Sequence, residues 1–335
     1  MKSGETTVAG VNSAGDVSGE QTAPITVQAN GLSKTFGMLK AVNNVSFAVA
    51  AGEIFGLVGP DGAGKTTIMR MLAGVLRADA GVIGVDGVDV ARNPEQAKLH
   101  LSYMPQRFGL YEDLTVAENI FFYGELFSVP RAARLARSQE LLTVAGLADF
   151  KKRLAGQLSG GMKQKLGLIC ALIHTPRVLL LDEPTTGVDP VSRREFWSIL
   201  YHLRESGVTI ILSTAYMDEA ERCSRLALLH AGEIRYCDTP ARLKAAMPGV
   251  LFALTSVNPH ALRDALVGQA GILSILLMGD RVHVRVDNSE QRILEIRRVL
   301  ASHQIDIIQL EQVTPGIEDV FVALLDTESA AEEVS

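Results

Sequence analysis

The segment Gly59–Thr67, GPDGAGKTT, constrains the fold more than any other part of the chain. It fits G-x-x-x-x-G-K-[ST], in which a glycine-rich turn offers backbone N–H groups to phosphate oxygens and a lysine sets a positive charge beside them. Such a loop needs a strand before it and a helix after it. EIFGLVG, ending at Gly59, is strand-like, and Ile68, Met69, Met71, Leu72 and Val75 recur beyond the loop at helical spacing. The helix also points a partial positive charge, about half an elementary unit, at the same phosphates. An α/β core that binds ATP is therefore predicted, through Gly59, Pro60, Asp61, Gly62, Ala63, Gly64, Lys65, Thr66 and Thr67, with the Thr66 hydroxyl offered to Mg2+. Asp61 is unusual, because an acid in an anion cradle repels its ligand unless its carboxylate faces outward, which is the expected orientation.

Further strands and helices surround this loop. From Ile25 to Val58 short runs alternate, as in Val45, Phe47 and Val49. RVLLLDEP, from Arg177, reads as a buried strand ending in Asp182 and Glu183, and VTIILST, from Val208, as another. Placed beside the loop strand, Asp182 would hold magnesium and Glu183 would activate the attacking water; an acidic helix cap is the alternative reading. LSGGMKQKLGLICALI joins a Ser-Gly-Gly turn (Ser159, Gly160, Gly161) to a helix with Leu166, Ile169 and Ile173 on its apolar face. Its exposed start is either a second anion site or a plain helix cap. Leu114 to Ala155 reads as a helical insert carrying the aromatic run FFYGELF. Beyond Pro248 the order strand, helix, strand, strand, helix, strand suits a ferredoxin-like unit, closed by a helix from Gly316.

Composition removes several classes of function. With 47% hydrophobic and 21% charged residues the chain is globular, yet no run approaches the ~18 apolar residues of a membrane span. A net charge of -6 supplies no general attraction to nucleic acid, and none is expected as a partner. Cys170, Cys223 and Cys237 show neither C-x-x-C pairing nor nearby histidines, so they read as reduced thiols. Residues 1–24 are small and polar, without the apolar stretch of a secretory signal, and read as a disordered tail. A cytoplasmic protein is expected.

GPDGAGKTT, Gln106 in YMPQ, LSGGM, LLLDEP and GVDP stand in the order and spacing of an ABC-type ATPase, which the chain resembles from about Ile25 to Ala246. The resemblance implies a P-loop NTPase core at 25–247 with an antiparallel β subdomain and a helical subdomain. A small α+β accessory or regulatory domain at 248–326 and a tail at 327–335 complete the expected organisation. Two such cores would face each other head to tail, each ATP lying between one phosphate loop and the opposite LSGGM. Residue by residue, Phe36 would stack on adenine, with a core Phe as the alternative. Gln106 would touch magnesium and sense the γ-phosphate, Asp189 would communicate across the dimer, and Thr66, Gln106 and Asp182 would form the metal set. Lys65, Glu183 and Gln106 would carry catalysis.

One position departs from the family pattern. Where a histidine usually contacts the γ-phosphate, this chain has Ala215, in LSTAYMDEAE. The resemblance then implies firm ATP binding with slower hydrolysis, and a second ABC ATPase domain as partner, either another copy of this chain or, as the hypothesis Ala215 motivates, a different, histidine-containing ATPase. YMPQRFGLYEDLTV, STAYMDEAE and the ending TPGIEDVFVALL are similar to ATPases of bacterial type 2 ABC exporters of drugs and other small molecules. That implies separate membrane-spanning permease subunits docking on the helical insert, and a peripheral location on the cytoplasmic face of the inner membrane. Two readings compete: a regulatory ABC module that binds ATP without turnover, and a soluble non-transport ABC ATPase.

Overall fold

The computed structural model describes residues 23–287 and 289–323, with only the backbone described for Ser289 and Glu290. The expected tails, apart from Ala23 and Pro24, lie outside the described residues. The central sheet has six strands in the order Glu233–Asp238, Arg225–His230, Ile54–Val58, Thr209–Thr214, Val178–Asp182, Leu101–Met104. The last five are mutually parallel, and Glu233–Asp238 closes one edge antiparallel. Ile54–Val58, Val178–Asp182 and Thr209–Thr214 are buried along their whole length, as expected of parallel strands covered on both faces.

The acidic strand does not lie beside the loop strand, contrary to expectation. Thr209–Thr214 separates them, pairing with Ile54–Val58 on one side and Val178–Asp182 on the other. Apolar on both faces, Thr209–Thr214 needs an interior slot. Thr66 reaches Asp182 because the helix Lys65–Leu72 crosses over that intervening strand. Val75 also departs from the sequence reading: it lies past the end of this helix and is exposed.

A second, antiparallel sheet has the order Leu39–Ala50, Ile25–Phe36, Ala80–Val85, Val88–Asp89. Its alternating residues Val27, Leu32, Val45 and Val49 share a core with Ile68, Met71 and Leu72 of the loop helix. Phe47 stacks on Phe55 at 5.3 Å, tying this sheet to the central one. The helical insert consists of Val116–Leu126 and Arg131–Val144 packed on Gly160–Leu172. Thr115 and Glu118 form a reciprocal capping box that sets where the first helix starts.

The third sheet runs Ile272–Met278, Arg281–Val286, Val250–Thr255, Gln309–Gln312, all antiparallel. Helices Pro259–Leu266 and Ser289–Ser302 pack on it through Leu262, Leu266, Ile296 and Leu300, which gives the ferredoxin-like order read from the sequence. Residues 317–323 are helical, but Ile317, Val320 and Phe321 bury into the main core instead of the accessory one. This helix is anchored on both sides. The Ile317 amide donates to Glu221 at 3.0 Å, and Asp319 pairs with His283 at 2.8 Å.

His174, at the end of helix Gly160–Leu172, stacks on Phe127 at 3.9 Å, and its Nε2 donates to the Leu101 carbonyl at 3.3 Å. Burial holds its imidazole below the ordinary histidine value, the carbonyl opposing in part. The unfolded chain therefore binds more protons below about pH 6.5, and the stability present above that value declines as pH falls through the folded pKa. Thermal melts from pH 7.5 to 5 should show a steeper loss for wild type than for His174→Gln. Parallel pH profiles would remove His174 as the cause.

Candidate active site

The chain leaves the loop strand at Val58 and enters the helix at Lys65, with Gly64 in the left-handed region at φ 100°. Glycine is needed there twice over, because a Cβ on Gly64 would stand 2.4 Å from the Ala41 carbonyl oxygen. Gly59 is equally confined: its Cβ would meet the Leu229 carbonyl at 2.3 Å. The turn wraps the Lys65 ammonium, which donates to the Gly59 and Pro60 carbonyls at 2.8 and 3.0 Å and stands 3.2 Å from Glu183. Lys65 is 4% exposed, whereas the Asp61 carboxylate is 95% exposed and 3.9 Å from the ammonium. Asp61 thus faces outward, where solvent weakens its repulsion of an anion.

Asp182 is buried and fully engaged. Thr66 and Ser213 donate their hydroxyls to Oδ1 at 3.0 and 2.6 Å, and Tyr103 donates to Oδ2 at 3.0 Å. Burial, then the Asp182 charge, push the Tyr103 phenol up to about 12, so it stays a donor. Glu183 occupies left-handed backbone at φ 49°, a conformation that typically costs about 1–3 kcal/mol outside glycine and concentrates at functional sites. Its amide is held by the Ser213 carbonyl and hydroxyl at 3.1 and 3.0 Å, and its carboxylate accepts from Gln106 Nε2 at 3.1 Å. Lys65, Thr66, Gln106, Asp182 and Glu183 therefore converge at the carboxyl ends of the parallel strands.

These donors fit magnesium. The Thr66 hydroxyl and the Asp182 oxygen are 3.0 Å apart, the spacing of adjacent oxygens around an ion with ligands at about 2.0–2.1 Å. Gln106 turns its amide nitrogen to Glu183, which leaves its amide oxygen available. Among the described residues no group of three or more His, Cys, Asp or Glu forms a metal cage. An ion held by one carboxylate, a hydroxyl and phosphate oxygens matches that donor set.

A second cluster stands apart in its contacts. Ser159 caps the helix Gly160–Leu172, its hydroxyl oxygen accepting from Met162 N at 3.3 Å, which leaves the hydroxyl proton free to donate. A Cβ on Gly161 would lie 2.4 Å from Cβ of Ser192, so this turn packs on the start of helix Pro190–Glu205. Asp189 caps that helix, accepting from Val191 and Ser192 amides at 3.0 Å each, and the Ser192 amide foremost holds its carboxyl below the usual range. Ser159, Gly160, Gly161 and Asp189 thus share one edge. Phe36 ends its strand half exposed, under the Lys34 ammonium at 5.6 Å, and is not a core residue. Ala215 is exposed and follows Thr214, whose carbonyl accepts from the Gly59 amide at 3.3 Å. The sequence reading missed Tyr103 and Ser213; both are polar residues at carboxyl-terminal strand ends, a position that would have flagged them.

The family model described as ABC transporter matches residues 42–186. The probable multidrug ABC transporter ATP-binding protein YbhF of Escherichia coli (strain K12) is 45% identical over 88% of this chain, which spans only 51% of that relative's length. The daunorubicin resistance ATP-binding protein DrrA2 of Streptomyces coeruleorubidus is 35% identical over 89% of this chain and 94% of its own. The chain belongs to the ATP-binding subunits of ABC transporters. Among solved structures this ABC subunit is similar to the ATP-binding cassette MJ0796, a dimer in a post-hydrolysis state bound to ADP and Pi. That similarity has TM-score 0.58 and 25% identity, and covers 64% of this chain and 98% of that one. The ABC cassette fold accounts for both clusters, the phosphate loop with its acids and the Ser-Gly-Gly turn with Asp189, on one core. Among the described residues of this subunit no helix is long and apolar enough to cross a membrane.

Proposed function

We propose that the chain couples MgATP binding and hydrolysis, at a head-to-tail dimer of ATPase domains, to export of a drug-like small molecule through separate permease subunits. The convergence of Lys65, Thr66, Gln106, Asp182 and Glu183 carries this reading. Lys65 would hold the β- and γ-phosphates, and Thr66, Asp182 and the Gln106 oxygen would hold Mg2+, which neutralises developing phosphate charge when bound. Glu183, restrained by Gln106 and the Ser213 contacts, would orient water and take its proton. Phe36 supplies an exposed face for adenine. Ser159, Gly160, Gly161 and Asp189, making no part of this half-site, would complete the opposite one in a dimer. Residues 25–247 form the ATPase domain in this reading and 248–326 the accessory domain.

A groove of about 340 Å³ lies between the helical insert and the helix Pro94–His100, lined by Leu99, Phe127, Val129, Pro130, Ala133 and His174. Leu99 and Phe127 leave apolar surface exposed there, and Phe127 comes from FFYGELF. A cytoplasmic segment of the permease would dock in it, holding the subunit on the inner face of the membrane. Ala215 favours a second reading, an ATP-binding regulatory module with little turnover.

The deciding experiment reconstitutes the chain in vesicles with its cognate membrane subunits. ATP-dependent extrusion of a cationic dye and phosphate release are expected, both lost in Lys65→Ala. Turnover no higher than Lys65→Ala would favour the regulatory module.

A further inference from the structure

A buried carboxylate that none of the assigned roles uses joins the segments bearing those roles. Glu219, 1% exposed, accepts from Thr185 Oγ1 at 2.5 Å and Trp197 Nε1 at 3.3 Å on one oxygen, and from Thr214 Oγ1 at 2.8 Å on the other. Arg193 Nε stands 3.8 Å from the first oxygen, and its guanidinium lies over the Tyr216 ring at 4.2 Å. Leaving a carboxylate buried requires that its lone pairs be satisfied, and here three hydrogen-bond donors do so, with the Arg193 cation nearby to offset the charge. Each donor comes from a different functional segment. Thr185 follows Glu183 by two residues, and its carbonyl accepts from the Val188 amide, next to Asp189. Trp197 belongs to the helix that Asp189 caps. Thr214 precedes Ala215, and its own carbonyl receives the Gly59 amide of the phosphate loop.

We infer that Glu219 is a positioning residue for ATP hydrolysis, registering Glu183, Asp189 and the backbone at Ala215 against the phosphate loop. It acts through Thr185, Thr214 and Trp197 and touches no nucleotide. A side chain at 215 too short to reach a phosphate leaves the placement of that backbone to such secondary bonds. The Tyr216 amide, which donates to Thr214 Oγ1 at 3.0 Å, extends the same clamp past Ala215. The inference rests on the hydrolytic reading of the site.

Glu219→Gln keeps shape and volume but removes the charge and replaces one acceptor by a donor. In the transporter assembled with its membrane subunits, kcat should fall about 10- to 100-fold, the range for a small misplacement of reacting groups, with KM for MgATP within about threefold. Trp197 is the only tryptophan in the chain, so its emission should shift as the indole N–H loses an anionic partner. Thr185→Val removes one bond and Thr214→Val two, those to Glu219 and from the Tyr216 amide, both with little volume change, and each should lower kcat by a smaller factor. They carry the test if Glu219→Gln does not fold. Folded variants that keep wild-type kcat while wild type exceeds Lys65→Ala would overturn the inference alone. Wild-type turnover equal to Lys65→Ala would overturn the hydrolytic reading and this inference with it.

Discussion

Replacing Glu183 by glutamine should reduce ATP turnover by roughly 10²–10⁴-fold while MgATP still binds, the range typical for removing a positioned general base. The amide retains an acceptor for Gln106 Nε2, now 3.1 Å from the carboxylate, so the side chain keeps its place. Its basicity is lost. The negative charge 3.2 Å from Lys65 also disappears, which removes competition with phosphate for that ammonium, and binding should be equal or tighter. The φ of 49° is a property of the backbone and is unaffected. Phosphate release by the assembled transporter measures the rate, and MgATP-dependent dimerisation in size-exclusion chromatography measures binding. A variant within tenfold of wild-type turnover would return Glu183 to the acidic-cap reading.

Ala215→His should raise turnover at the site built on this phosphate loop by at least about tenfold, toward the 10²–10³-fold associated with one donor to developing charge. Residue 215 follows Thr214, whose carbonyl is bonded to the Gly59 amide, so a longer side chain starts beside the phosphate loop. Ala215 is exposed, and the new ring need not displace core residues. Single-turnover measurements on the assembled transporter are the appropriate test. If the functional dimer pairs this chain with a histidine-bearing ATPase, the gain appears at one of two sites; if it contains this chain alone, at both. An unchanged rate would mean that position 215 does not limit hydrolysis.

Much of the site was legible because its residue types serve backbone chemistry that only those types can perform. Gly59 and Gly64 stand where a Cβ would strike a carbonyl, Lys65 begins the helix and fills the turn, and Thr66 lies in the first helical turn, so spacing along the chain encodes spacing in space. Asp182 and Glu183 were legible as strand-end acids, and the outward face of Asp61 followed from electrostatics. The chain order of strands and helices beyond Pro248 was readable from pattern, and that order suggested the ferredoxin-like unit.

What the sequence by itself determined is local: a strand, a glycine turn and a helix that cradle phosphate, a capped Ser-Gly-Gly helix, and a run of alternating strands after Pro248. Tertiary structure alone decided which strands are neighbours, placing Thr209–Thr214 between loop and acids, because lateral order depends on two-sided burial and crossover helices that no short window contains. It also decided that Tyr103 and Ser213 hold Asp182, that Ser192, in the helix Asp189 caps, packs on the Ser-Gly-Gly turn, and that Glu219 gathers Thr185, Trp197 and Thr214. Apart from the Thr214–Glu219 bond, the hydrogen bonds among them join residues at least 22 positions apart in sequence. Their geometry exists only once the core has closed around them, where a polar group deprived of water must find its partner.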